Sequence, residues 1–198
     1  DNKEADDIFR SFMYAGVPEL DSSTDIAITE VLYMAAAKYK IKYILEGHSF
    51  KTEGIAPLGN NYFDGKYVES IHKKYGRQKL KTFPNLTFYR FMKWILIKKI
   101  KKVRPFWYID YSKASAREYL KLKFGWEYYG GHHLENRMTA FLHTVWYPQR
   151  FNYDARSWSL SAAVRSGHMD RIEAIKTFET PIKPDQELII YTKKRLGL

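Results

Sequence analysis

Ile41-Lys42-Tyr43-Ile44-Leu45-Glu46-Gly47-His48-Ser49-Phe50-Lys51-Thr52-Glu53-Gly54 decides the fold class of this chain. Its first five residues are β-branched, aromatic or aliphatic around one lysine and read as a short buried strand. Gly47 then marks a sharp turn carrying hydroxyl, imidazole, ammonium and carboxylate groups. Upstream, Asp21-Ser22-Ser23-Thr24-Asp25 supplies cap residues, and Ile28, Val31, Leu32, Ala35 and Ala36 recur with helical period, so 23–40 is expected as a helix. A helix running into a buried strand and a glycine-marked turn is half of an α/β unit.

Outward from there the reading is mixed. Residues 1–7 read as a charged, frayed end, and 54–76, with Pro57, Gly59, Asn60, Asn61 and Gly65, as mostly loop. Phe88 to Lys102 predicts a basic amphipathic helix, and Val103-Arg104-Pro105-Phe106-Trp107-Tyr108-Ile109 a second short strand. Ser112 to Phe124 predicts a helix stopped by Gly125. The last third is helical throughout. Met138, Phe141, Leu142, Val145 and Trp146 form one apolar stripe; 157–166 stops at Gly167; Asp170-Arg171-Ile172-Glu173 fits a capping box; Pro184-Asp185-Gln186-Glu187 opens a terminal helix. The fold class is therefore α/β, a partial sheet over 1–111 with a basic helical insertion, followed by a mostly helical region over 112–198. Two strands do not make a covered sheet, so further strands are expected within the chain or on a segment outside it.

Composition narrows the partners. Among 198 residues, 33 basic against 22 acidic side chains give a net charge of +11. The excess is local: 71–104 holds twelve Lys and Arg and no Asp or Glu. Such a field attracts polyanions, whether nucleotide phosphates, nucleic acid, lipid headgroups or an acidic protein face. The absence of cysteine excludes disulfides and cysteine-ligated zinc. No apolar run approaches the ~20 residues of a membrane span. The opening Asp1-Asn2-Lys3-Glu4 carries neither methionine nor an apolar leader, so an incomplete chain without a secretory signal is expected, in the cytoplasm.

Three constellations carry chemistry. Gly47, His48, Ser49, Lys51 and Glu53 follow a strand, where α/β sheets bind ligands: Lys51 could meet a phosphate, His48 and Ser49 could donate, and Glu53 could hold a metal or orient the lysine. A plain strand-to-helix turn is the alternative. Gly130-Gly131-His132-His133-Leu134-Glu135-Asn136-Arg137 places two glycines before a helix, allowing close approach to an anion, with His133 and Arg137 on one face. Zinc on the histidines and Glu135 is the alternative, although the His-Glu-x-x-His order is absent. Arg150, Asp154, Arg156 and Arg165 offer forked donors for phosphate or carboxylate, or interhelix salt bridges.

From about Phe9 to Leu198 the chain resembles the N-acetyl sugar amidotransferases of lipopolysaccharide and O-antigen biosynthesis, in the PP-loop ATP-pyrophosphatase superfamily. The match is carried by Leu45–Gly54, by Arg104-Pro105-Phe106-Trp107-Tyr108-Ile109-Asp110-Tyr111, by Phe124–Arg137, and by Arg150–Asp154 with Arg156, Ser161, Ser166-Gly167 and Arg171. The resemblance implies a Rossmann-like adenine-nucleotide α-hydrolase fold, ATP with Mg2+, a nucleotide-linked sugar substrate, and ammonia from a partner glutaminase and synthase. By position it puts Gly47, His48, Ser49, Lys51 and Glu53 at ATP. It puts His133, Glu135, Arg137, Arg150, Asp154, Arg156 and Arg165 nearer the sugar and phosphates. The superfamily's Ser-Gly-Gly-x-Asp-Ser phosphate loop and the family's paired amino-terminal cysteines do not occur, so the chain is read as the second half of a longer one, inactive alone. The rival readings are a nucleic-acid-binding module of a tRNA-modifying relative, suggested by Tyr75, Phe83, Phe88, Tyr89 and Trp94 within the basic stretch, and a docking surface for the ammonia-supplying partner. The amidotransferase reading carries no specific nucleic-acid partner and no membrane span, and leaves peripheral membrane contact open.

Overall fold

The computed structural model describes residues 2–54, 64–131 and 134–198. They fall into two compact units: one built from 1–45, 57–103 and 190–198, the other from 46–56 and 104–189.

In the first unit, α1 (Asn2–Ala15) packs on α4 (Gly65–Tyr75), burying Ile8, Phe9 and Phe12 with Val68 and Ile71. Each such side chain contributes about 1.5–3 kcal/mol. The expected frayed end is a helix because two of its acids are buried and satisfied. Glu4 accepts from the backbone N–H groups of Lys81, Thr82 and Phe83, and Asp7 from those of Arg77 and Gln78, from His72 and from Arg10. The carboxylates thus clamp the 77–83 loop onto α1, and the Lys81 amide leads the interactions that hold Glu4 below the usual carboxylate range against its burial. The expected loop over 54–76 is corrected over 65–75, where Asp64 caps α4 by accepting from Lys66 N at 3.0 Å. Residues 55–63 lie outside the described residues.

The helix expected at 23–40 is α2 (Ser22–Lys38). Its rotational setting differs from the apolar stripe read in sequence. Ile26, Glu30 and Tyr33 face inward, while Ile28, Val31 and Leu32 are exposed and line an apolar groove with Ala5 and Phe83. Glu30 explains the setting. It is fully buried, pairs with Arg90 and accepts from Trp94 Nε1 at 2.8 Å, while Tyr33 stacks on Trp94 at 6.4 Å. A buried charge with two fixed partners outweighs one more apolar stripe, because turning it outward would strand those partners.

β1 (Tyr43–Leu45) and β2 (Lys101–Val103) pair in parallel, with Ile44 opposite Lys102. Only Ile44 is buried, so the first strand is shorter and less covered than expected. The helix expected over 88–102 is a short rod, α5 (Phe88–Met92) continuing as a π-helical segment (Lys93–Ile97), and β2 follows it. The strand expected at 103–109 ends at Val103. Pro105 has no N–H for a ladder and a fixed φ, and Pro105–Trp107 forms a 3-10 turn instead. The described residues therefore form a mostly helical α/β arrangement with one small parallel pair.

The second unit holds α3 (Phe50–Glu53), α6 (Lys113–Phe124), α7 (Arg137–Phe141), α8 (Tyr147–Phe151), α9 (Arg156–Arg165) and α10 (Arg171–Glu179). α11 (Gln186–Leu196) starts in it and ends in the first unit, where Arg195 pairs with Asp6. The caps fall where the sequence put them. Ser112 accepts from Ser115 N, Asp170 from Ile172 N and Glu173 N, and Gly125 closes α6 in the left-handed region. α7 and α8 are joined by a π-helical segment (Leu142–Trp146), the stripe Phe141, Leu142 and Val145 being buried. The wide turn precedes Pro148, whose ring would collide with the carbonyl four residues back in a regular helix.

Candidate functional site

Within the second unit the chain turns at Glu46, whose carboxylate accepts from Arg104 Nε at 2.8 Å; that guanidinium also lies 4.9 Å from the Trp107 ring centroid. Both nitrogens of His48 are engaged. Trp107 Nε1–H donates to Nδ1 at 3.2 Å, so Nδ1 is the acceptor and Nε2–H donates to Gly54 O at 3.1 Å. His48 therefore ties the two ends of the turn together and fixes one tautomer. Phe50 adds an edge-to-face contact with Trp107 at 5.4 Å.

α3 is a single helical turn seated on α9. Gly54, with φ +77° and ψ −173°, passes so close to α9 that a β-carbon there would stand 2.9 Å from Trp158 O. The backbone at 49–54 is thus pinned by a histidine on one side and a helix on the other. On it sit two hydroxyls that local structure does not satisfy. Ser49 is 0 % exposed and Thr52 is 5 % exposed, and neither Oγ has a hydrogen-bond partner among the described residues. Ser49 occupies the cap position of α3 without making the cap bond. Buried unpaired polar groups cost on the order of 1–3 kcal/mol each, and these two lie three residues apart on the pinned turn.

Lys113, at the start of α6, lies at the same turn. Its Nζ is 3.4 Å from Thr52 O and 3.9 Å from Glu53 Oε1. Burial lowers the Lys113 pKa, Glu53 opposes this, and Arg117 adds to it. Burial likewise raises Tyr111, with Glu53 reinforcing it. Lys113 is thus a cation whose one carboxylate partner does not offset its desolvation, and a bound anion would. Lys51 and Glu53 are half-buried at this turn, so Gly47, His48, Ser49, Lys51 and Glu53 do form one local structure.

Arg117 links this turn to the second constellation. Its guanidinium lies 3.8 Å from the Tyr128 ring centroid and is electrostatically coupled to Tyr111, Lys113 and Tyr129. Tyr129, raised chiefly by burial, donates to Glu135. Trp126, Tyr128 and Tyr129 form a cluster with centroids 5.7–6.1 Å apart. Arg137 is exposed at the first position of α7, which Asn136 caps. His132 and His133 lie outside the described residues, so the reading of His133 and the zinc alternative fall there; among the described residues no three carboxylate or imidazole side chains converge on a metal position.

The third constellation divides. Arg156 holds Asp154 with Nε and Nη2 at 2.7–3.1 Å and donates at 2.9 Å to the carbonyls of Thr177, Phe178 and Thr180, closing the carboxyl end of α10. The ion pair is local, between residues two apart, and the tie between helices is made by hydrogen bonds to carbonyls rather than by a salt bridge. Arg150 stacks over Trp146 at 5.4 Å, and Arg165 is exposed at the end of α9. Lys113 and Arg117 were not singled out in the sequence, and Tyr111 stood there only as the last residue of the 104–111 motif. Their signal was two cations four apart at the start of a capped helix, directly after the 104–111 motif.

Residues 135–198 match a family model described as LPS biosynthesis protein WbpG-like, C-terminal domain. The carboxy-terminal third of this chain, which takes in α7 to α11, is thus similar to a WbpG-like C-terminal domain. No curated protein and no solved structure matches the chain.

Proposed function

We propose that this chain serves an ATP-dependent N-acetyl sugar amidotransferase of lipopolysaccharide biosynthesis, turning the acetamido group of a nucleotide-linked sugar into an acetamidino group. The observation carrying this reading is the seating of the 46–54 turn, with two buried hydroxyls unpaired among the described residues, on α9, a helix of the region similar to the WbpG-like C-terminal domain. The amide oxygen attacks the α-phosphorus of ATP and pyrophosphate leaves. Ammonia from a partner glutaminase then adds to the activated carbon, and AMP departs with the former amide oxygen.

In this reading Ser49, Thr52 and Lys113 meet phosphate oxygens, while Lys51 and Glu53 flank them and His48 holds the turn. The donors fit a polyphosphate: hydroxyls without partners among the described residues and a half-buried ammonium gain from an anion what they lack without one. Glu135, Arg137, Arg150 and Arg165 serve the sugar and its phosphates together with His133, and Asp154 with Arg156 fixes α10 behind them. Magnesium keeps several waters and leans on nucleotide phosphates with one or two carboxylates. Glu53 is the carboxylate beside the hydroxyls, it is committed to Lys113, and no step is assigned to the ion.

The test supplies the full-length enzyme with ATP, a nucleotide-linked N-acetylated sugar and isotopically labelled ammonium. Labelled nitrogen should enter the sugar as AMP and pyrophosphate form in step. Lys113→Met should lower the rate about 100-fold. Release of ADP and phosphate instead, or an unlabelled sugar, would overturn the assignment.

A further inference from the structure

The rod Phe88–Ile97 in the first unit turns its unusual face outward. Trp94 is buried and Phe91 and Ile95 are half-buried, so the side at 91, 94 and 95 faces the core, and exposed Arg90 at its edge is tied to buried Glu30. The opposite side repeats at i, i+1, i+5, i+8 and i+9. It presents Phe88 at 62 % exposure, Tyr89 at 74 %, Leu96 at 60 % and Ile97 at 73 %, with exposed Lys93 among them. Lys66 of α4 lies 5.9 Å from the Tyr89 ring centroid. Lys98, Lys99 and Lys101 follow directly, exposed and without an ion pair among the described residues, inside the 71–104 stretch that has no acid at all.

Scattered exposed apolar residues need no explanation, but four on one helical face, ringed by lysines with no carboxylate between them, do. An acidic protein face would complement the charge and leave the protruding aliphatic tips unexplained. A polynucleotide would stack on the aromatics and gain nothing from Leu96 and Ile97. An anionic bilayer surface answers both features: apolar tips enter the acyl boundary while flanking lysines stay at the headgroups. No helix among the described residues is long and apolar enough to cross a membrane, so the contact lies in the interface plane.

We propose that the Phe88–Lys101 face is a peripheral docking surface for anionic membrane lipid.

The test is flotation of the full chain with vesicles of phosphatidylcholine alone and of phosphatidylcholine with phosphatidylglycerol, at low and raised salt. Binding should require phosphatidylglycerol. Leu96→Ser with Ile97→Ser should weaken it at least about tenfold at unchanged charge. Lys98→Gln with Lys99→Gln should weaken it about fivefold per lysine. Circular dichroism checks the fold, and Tyr89→Ser serves as a second variant if the serine pair misfolds. No vesicle binding, equal binding to both vesicles, or binding that survives loss of the apolar tips would overturn the proposal. So would tighter binding to single-stranded RNA than to vesicles, unchanged by the serine pair, which would assign the face to nucleic acid.

Discussion

Gly54 and Trp158 stand closer than any side chain at position 54 would permit: a β-carbon on Gly54 would lie 2.9 Å from the Trp158 carbonyl oxygen. The approach needs φ +77° as well, a region L-residues avoid. Gly54→Ala therefore meets strain and backbone overlap together and should destabilise the protein by about 3 kcal/mol or more. Gly125 also has a positive φ, +63°, but open space around it, and Gly125→Ala should cost only about 1 kcal/mol. Chemical denaturation of both variants gives the comparison. Equal losses would show that conformation, and not the contact with α9, governs position 54.

Asp7 should control acid stability. Burial alone would raise its pKa, but Arg10, His72 and the amides of Arg77 and Gln78 together lower it from 3.8 to about 2. A group depressed in the folded state stabilises above its unfolded pKa and loses that contribution as pH falls through the folded one. Asp7 thus contributes roughly 2 kcal/mol at neutral pH, lost between about pH 4 and pH 2. Asp7→Asn should be less stable by at least that amount at pH 7, and its deficit against the parent should shrink across the same window. A deficit independent of pH would mean the carboxylate charge is not what Arg10 and the loop amides require.

Arg156 and Arg165 should separate in stability. Arg156 closes α10 through three carbonyls and Asp154, so Arg156→Lys, which cannot reproduce the fork, should lower stability by about 2–3 kcal/mol. Arg165→Ala, at an exposed helix end, should stay within about 0.5 kcal/mol of the parent. Thermal unfolding of both variants tests this, and matching midpoints would contradict the capping geometry.

Ser49→Ala should stabilise the ligand-free protein by about 1 kcal/mol, since it removes a buried hydroxyl with no partner among the described residues. The same change should weaken ATP binding in the full-length enzyme. A loss of stability without nucleotide would show that the hydroxyl serves the fold and not a phosphate.

Local signals were legible along the chain because each is settled within a few residues. Asp170 caps α10, Ser112 caps α6, Gly125 ends it, and Phe141, Leu142 and Val145 line one buried stripe. The turn at 46–54 was likewise visible as a glycine-marked turn following a strand. What the sequence could not set was which groups distant segments supply to one another. Glu4 and Asp7 read as a frayed end until amides some seventy residues later turn them into buried anchors. Ile28, Val31 and Leu32 mark a helix by their period, but which side of α2 is buried is set by Glu30 finding Arg90 and Trp94. Lys113 joins Ser49 and Thr52 only because α6 starts beside α3. Caps, stripes and turns depend on neighbours in sequence, so they are encoded locally. The burial of a charge depends on a partner whose position only the folded chain defines, and there the tertiary structure decided.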